Sequence, residues 1–236
     1  MTLTAKTHRR GFLGRVIGAA AAFSAIGNVE HAEAQAPAAD DWIKGVKGTH
    51  RCLFDFPRHN NGMAQLHILN YINTYATAFK ATPGQVGAVG TFYSMGPQSS
   101  IPLAFNDAMW AKYGLGEYLG LKDAGGKAYT RNVFNKPTEG DLHLLMGAIQ
   151  SPPIPALAGA LPALGLESLQ KMGTTFLLCA NAFGGWCAEL EARGKGQAPD
   201  LMKDLQANIL PGVITVPAMV IAIEQAQKAG IAYNRQ

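Results

Sequence analysis

The sequence predicts an α/β fold, a three-layer α/β/α sandwich built on a mainly parallel sheet of about five strands. Three observations carry that expectation. Short runs of β-formers alternate with longer segments of helical periodicity, such as "RCLFDF" followed by "MAQLHILNYINTYATAF". Turn residues separate them, with 27 glycines and 13 prolines in 236 residues. The order strand, helix, strand, helix repeats along the chain, which favours parallel pairing with helices packed on the sheet. A hydrophobic content of 48% and a charged content of 15% give ample material for a core and exclude a disordered or coiled-coil chain.

The first 34 residues stand outside that pattern. Arg9-Arg10 precedes Phe12-Leu13, a mild Ala/Gly-rich apolar run follows, and Ala32-Glu33-Ala34 ends it. A basic start, a short apolar middle and an A-x-A end describe an export signal. The paired arginines with Phe-Leu resemble a twin-arginine address. Cleavage is expected after Ala34, with the mature protein in the periplasm or otherwise exported, and residues 35–49 as a leader into a domain covering 50–236. Without the first 34 residues the formal charge falls from +4 to +2. No run of Lys or Arg remains, so a nucleic-acid partner lacks its electrostatic footprint.

Residues 51–56 read as the first strand and 57–62 as a loop. A helix follows in which Leu66, Leu69, Ile72, Ala76 and Phe79 recur at helical spacing. "ATPG" breaks it, and 86–94 read as a second strand whose glycines suggest close packing by helices. A helix is expected over 101–114, capped by Ser99 or Ser100 with Pro102 in its first turn. Another is expected over 138–149, capped by Thr138. From Leu142 to Leu166 there is no Asp, Glu, Lys or Arg, but Pro152, Pro153, Pro155 and Pro162 oppose a membrane-spanning helix. The segment 138–166 therefore reads as an apolar insertion, buried or covered by a partner. "TTFLLCANA" (174–182) reads as the third strand and its exit turn, followed by helical pieces over 185–194 and 198–210. Residues 212–217 form a fourth strand, 218–230 a helix stopped by Gly230, and "IAYN" a last strand.

The apolar strand ending in Cys with a small polar turn ("FLLCANA"), the helix after it, and the closing "GVITVPAMVIAIEQAQKAGIAYN" resemble the DsrE/DsrF-like family of sulfur-metabolism proteins. The early "CLFDFPRHNNGMAQLHILNYINTY" is compatible with that family's first strand and helix. The resemblance spans roughly 50–112 and 172–234. It implies a three-layer sandwich, homo-oligomeric assembly, and in some members relay of sulfur as a persulfide on a cysteine placed like Cys179. The insertion and the export signal depart from the small intracellular members.

In a parallel α/β sheet, ligands bind beyond the carboxyl ends of the strands. That edge would gather Asp55, Arg58, His59, Asn60 and Asn61 after strand one, Tyr93, Ser94 and Met95 after strand two, Cys179 and Asn181 after strand three, and Pro217 after strand four. Cys179 is the catalytic candidate, because a thiol at a strand end, beside a helix start and a cation, is placed to act as thiolate. Arg58, His59, Asn60, Tyr93, Ser94 and Asn181 are the ligand-binding candidates, with Arg58 and His59 supplying positive charge and Asn181 a hydrogen bond. Buried, inert cysteine is the competing reading. Cys187 lies eight residues on, and a Cys179–Cys187 disulfide is left open; Cys52 falls inside strand one.

The expected ligand is a small thiol, sulfur or anionic species. A non-catalytic oligomeric binding or assembly module is the alternative, and a haem- or metal-binding periplasmic protein is another. The second rests on His59, Met63 and His67, spaced four apart on one helical stripe. The chain has no C-x-x-C-H, no H-E-x-x-H and no paired C-x-x-C, so no metal site is assigned and the cofactor is unknown.

Overall fold

The computed structural model describes residues 41–145 and 155–236. The export segment, the first part of the leader (35–40) and the stretch around Pro152 and Pro153 lie outside the described residues. Among the described residues there are five strands: β1 (His50–Asp55), β2 (Val86–Phe92), β3 (Thr174–Cys179), β4 (Val213–Val216) and β5 (Ala232–Arg235). All pair in parallel, in the order β4-β3-β2-β1-β5. The helices are α1 (Asp41–Gly45), α2 (Met63–Ala78), α3 (Asp107–Tyr113), α4 (Leu115–Tyr118), α5 (Leu161–Leu164), α6 (Leu166–Lys171), α7 (Ala180–Ala192), α8 (Ala198–Gln206) and α9 (Met219–Lys228), with four 3-10 turns between them. Among the described residues no helix is long and apolar enough to cross a membrane.

Strand side chains alternate between two cores, as a period of two requires. Cys52, Phe54, Ala88, Phe92, Phe176 and Leu178 enter the larger core, against Ile68 of α2, Leu169 of α6, Trp186 of α7 and Leu205 of α8. Leu53, Val89, Leu177, Cys179 and Val216 enter the smaller one, against Trp42 of α1 and Met219, Ala222 and Ala226 of α9. Burial on both faces explains why "CLF" and "FLL" read as unbroken apolar runs rather than alternating ones. Each fully buried side chain such as Phe176 contributes about 1.5–3 kcal/mol relative to exposure.

The strand order decides where the helices go. From β1 to β4 the chain steps across the sheet in one direction, and from β4 to β5 it crosses back over three strands. Right-handed crossovers in both directions put α2 and α7 on one face and α9 on the other. The chain therefore leaves the carboxyl ends of β3 and β4, which are neighbours, toward opposite faces. Such a divergence between neighbouring strands is the usual place for a ligand in an open α/β sheet.

Several elements differ from the sequence reading. The expected helix over 101–114 is a 3-10 turn at Ile101–Ala104 and then α3, because Asn106 caps a fresh start, its side chain accepting from the Met109 N–H at 3.2 Å. Of the helix expected over 138–149, the described residues contain only a 3-10 turn at Glu139–Asp141, held by the Asp141 carboxylate, which accepts from Thr138 N at 2.7 Å and from Thr138 Oγ1 at 3.0 Å. Helix α7 begins at Ala180, so "ANA" is its first turn and not an exit loop. The glycines of β2 make room for other neighbours than helices. A Cβ on Gly90 would stand 2.6 Å from the Phe176 ring, and one on Gly87 would stand 2.3 Å from the Lys47 carbonyl. Within the apolar insertion, Leu145, Leu161, Leu164 and Leu166 are buried in the chain's own larger core.

Candidate functional site

The carboxyl edge of β3 is built by the sequence "LLCANA". Cys179 ends the strand with extended backbone and caps α7 at once. Its Sγ accepts the Ala182 N–H at 3.4 Å and the Met219 N–H at 3.3 Å. The sulfur therefore meets the N-terminal amides of two helices, α7 and α9, which approach from opposite faces. The start of α7 is tied to the exit of β4 by a 3.2 Å bond from Asn181 N to the Pro217 carbonyl. Cys179 is 5% exposed and packs beside Leu177, Val216 and Met219. It is covered rather than presented outward, and the residues over it are the two helix starts.

Tyr93, just past β2, packs against the same small core. Its hydroxyl donates to Asp55 Oδ1 at 2.8 Å. Asp55 ends β1 and is 3% exposed. It also accepts from Tyr233 of β5 at 2.7 Å and from Thr91 of β2 at 3.3 Å. Three hydroxyls thus surround one buried carboxylate, and burial, with the hydrogen bond to Asp55 and its charge, holds the Tyr93 phenol well above its ordinary range. The hydrogen bond to Asp55 raises that of Tyr233 as well. Arg235, in register with Asp55, opposes both effects through its charge.

The loop after Tyr93 is fixed in a costly conformation. Ser94 has φ of +82°, in the region that disfavours a side chain. Its carbonyl accepts from Ser99 Oγ at 3.1 Å, Tyr93 N donates to Ser100 Oγ at 3.0 Å, and Gly96 N donates to Glu189 Oε2 of α7 at 2.9 Å. Strain held by so many partners is characteristic of binding and catalytic rims.

The other expected residues lie elsewhere on that edge. Arg58 is exposed and forms an isolated bridge with Ser99. His59 is 3% exposed and packs over Phe134, a member of the larger core, on the opposite face of the sheet from Cys179. Its Nδ1 accepts from Asn61 N at 3.2 Å, which puts the ring proton on Nε2, and Nε2 has no hydrogen-bond partner. Burial lowers its pKa to about 4, so at neutral pH the ring carries no positive charge and cannot stabilise an anion at the sulfur. Asn60 is exposed, and Asn181 projects to solvent from the first turn of α7. The structure thus brings Cys179, Tyr93 and Ser94 to one rim with Asp55, and leaves His59 and Asn60 to the other face.

The stripe of His59, Met63 and His67 does not form. Left-handed backbone at Asn60, Asn61 and Gly62 turns the chain between His59 and α2, so only Met63 and His67 are on the helix. Among the described residues no cluster of three metal-ligating side chains occurs. All three cysteines are free thiols. Cys187 is fully buried in the larger core while Cys179 faces the smaller one, so the sheet and α7 separate the two sulfurs. Burial raises the Cys52 thiol and pushes that of Cys187 up to about 12.

Tyr233 and the hub role of Asp55 escape a reading of the sequence. The one local signal is a carboxylate closing an otherwise apolar strand, "CLFD", where burial demands donors that only the fold supplies. No family model, no curated protein and no solved structure matches the chain.

Proposed function

We propose that the chain is an exported protein of DsrE/DsrF-like type that takes a small thiol, sulfur or anionic ligand at the carboxyl edge of its sheet, with Cys179 as the contacting or reacting thiol. The observation that carries this reading is the pair of helix N-terminal amides donating to the Cys179 sulfur. Backbone N–H groups at helix starts are suited to holding negative charge, on sulfur or on a ligand that takes its place. Their position at the β3/β4 divergence is where open α/β sheets generally take their ligands. The buried Asp55 with its phenols supplies proton donors along the same edge.

Access requires the start of α9 to move aside, since Met219 packs beside the sulfur and donates its N–H to it. A second reading is a non-catalytic assembly module. It is favoured by Val220 and Ile221, which are 70% and 52% exposed on the turn next to Met219. In that reading the same rim is a contact with another chain.

Intact mass spectrometry of the protein purified from the exported fraction, with and without mild alkylation, tests the proposal. Under native conditions Cys179 takes the label first, because two helix-start amides face its sulfur, whereas burial raises the thiols of Cys52 and Cys187. Reductant-sensitive sulfur, where found, is lost with Cys179→Ala. A folded Cys179→Ala variant that carries the same labelled or persulfidated thiol overturns the assignment.

A further inference from the structure

A groove of about 970 Å³ lies on the face of the sheet opposite Cys179, between α2 and β5. It exists because β5 is an edge strand and α2 packs chiefly over β2, two strands away. One wall is a stripe of α2 at four-residue spacing: Met63, His67, Tyr71 and Tyr75, over about 18 Å of helix. The stripe continues to Phe79, which is 68% exposed. Core-facing positions of α2 are Ala64, Gln65, Ile68 and Leu69; Tyr71 is half-buried and packs against the larger core, while Tyr75 and Phe79 belong to neither core.

The rings form an open ladder. Phe54 meets Tyr71 edge-on at 5.5 Å, Tyr71 meets Tyr75 at 5.0 Å, and Tyr75 meets Phe79 at 5.2 Å. His50 stacks behind Tyr75 at 4.2 Å and holds it in place. The remaining lining is rich in carboxamides: Asn60, Asn61, Asn70, Gln98, Asn234 and Gln236. Some are already ordered, since Gln236 accepts from His67 and donates to Asn234 at 2.8 Å, joining helix to strand. Among the described residues no Asp, Glu or Lys lines the groove. Arg235 sits at the same end, but the strand's pleat puts it in register with Asp55, and its charge acts on Tyr93 and Tyr233 across the sheet.

From this lining we infer that the groove is a binding site for a neutral oligosaccharide. Each carboxamide offers two donors and two acceptor sites in one plane, which suits vicinal hydroxyls or an acetamido group. Aromatic faces suit the apolar side of a sugar ring, and a lining without carboxylate or lysine side chains, whose one guanidinium is in register with Asp55, gives an ionic ligand little to pair with. Exposed ring area combined with dense hydrogen-bonding capacity is unsuited to a purely apolar ligand, which would leave the amides unpaired. The site is separate from the rim proposed above and stands without it.

Isothermal titration of the full chain with maltotriose, triacetylchitotriose and an alanine hexapeptide tests the inference. At least one of the two trisaccharides is expected to bind with a dissociation constant below about 1 mM. Tyr75→Ala and the double variant Asn70→Ala/Asn234→Ala each weaken that binding by at least about tenfold, the loss expected when a principal contact is truncated. Cys179→Ala leaves it unchanged. Asn70 and Asn234 are exposed, so their truncation spares the core even where Tyr75→Ala does not fold. The inference fails if neither trisaccharide binds, if the hexapeptide binds more tightly than both, or if binding survives the double variant.

Discussion

His59 shows how much one side chain's surroundings decide. Its ring is buried without a partner for Nε2, and burial lowers its pKa to about 4. In the unfolded chain it titrates near 6.5, so between those values the unfolded state binds the extra proton. Stability is therefore full above about pH 6.5 and declines as the pH falls toward 4, by up to about 3 kcal/mol. Urea unfolding across that range measures it, and His59→Gln flattens the dependence. Cys179 makes the complementary point. A thiol at a strand end has little meaning alone, but two amides 3.3 and 3.4 Å from sulfur give it an electrostatic setting.

Among the elements, β2 is the most constrained. All seven of its residues are buried, and it is flanked by β1 and β3. Gly90 is there because the Phe176 ring, stacked on Phe92 at 5.3 Å, occupies the space a Cβ needs. Gly90→Ala is expected to destabilise the protein by about 1–3 kcal/mol, the usual cost of overpacking, seen as a lower unfolding midpoint. The extra residues of α7 beyond the sequence expectation arise the same way. "ANAFGG" has poor helix propensity at its two glycines, yet Phe183 and Trp186 bury in the larger core and pull the segment into helix.

For the whole molecule, the strand order is what joins distant parts of the chain. Strand β5 returns to lie beside β1 and is anchored there by Tyr233 on Asp55 and by Gln236 N on the Asp55 carbonyl at 2.9 Å. All four of its residues are exposed, so little apolar burial holds it. Tyr233→Phe is expected to cost about 1 kcal/mol, the scale of one such hydrogen bond, and to speed amide exchange in β5 while β2 stays protected. Native-state hydrogen exchange distinguishes this from global destabilisation, in which β2 exchanges faster as well.

Runs such as "CLFDF", "FLLC" and "VITV", with turn signals between them, were enough to place five parallel strands, since burial on both faces leaves a compositional mark. The place of Cys179 at a strand end was legible for the same reason, as the close of an apolar run. What the sequence could not contain was which loops share a face. One residue of pleat sends Cys179 and Tyr93 to one side, and the left-handed Asn60-Asn61-Gly62 turn sends His59 to the other. The Asp55–Tyr233 contact joins residues 178 positions apart, and the groove beside α2 exists only because β5 lies at the sheet's edge. Local pattern records how deeply a side chain is buried, whereas the strand order and its crossovers alone decide which neighbours it meets there.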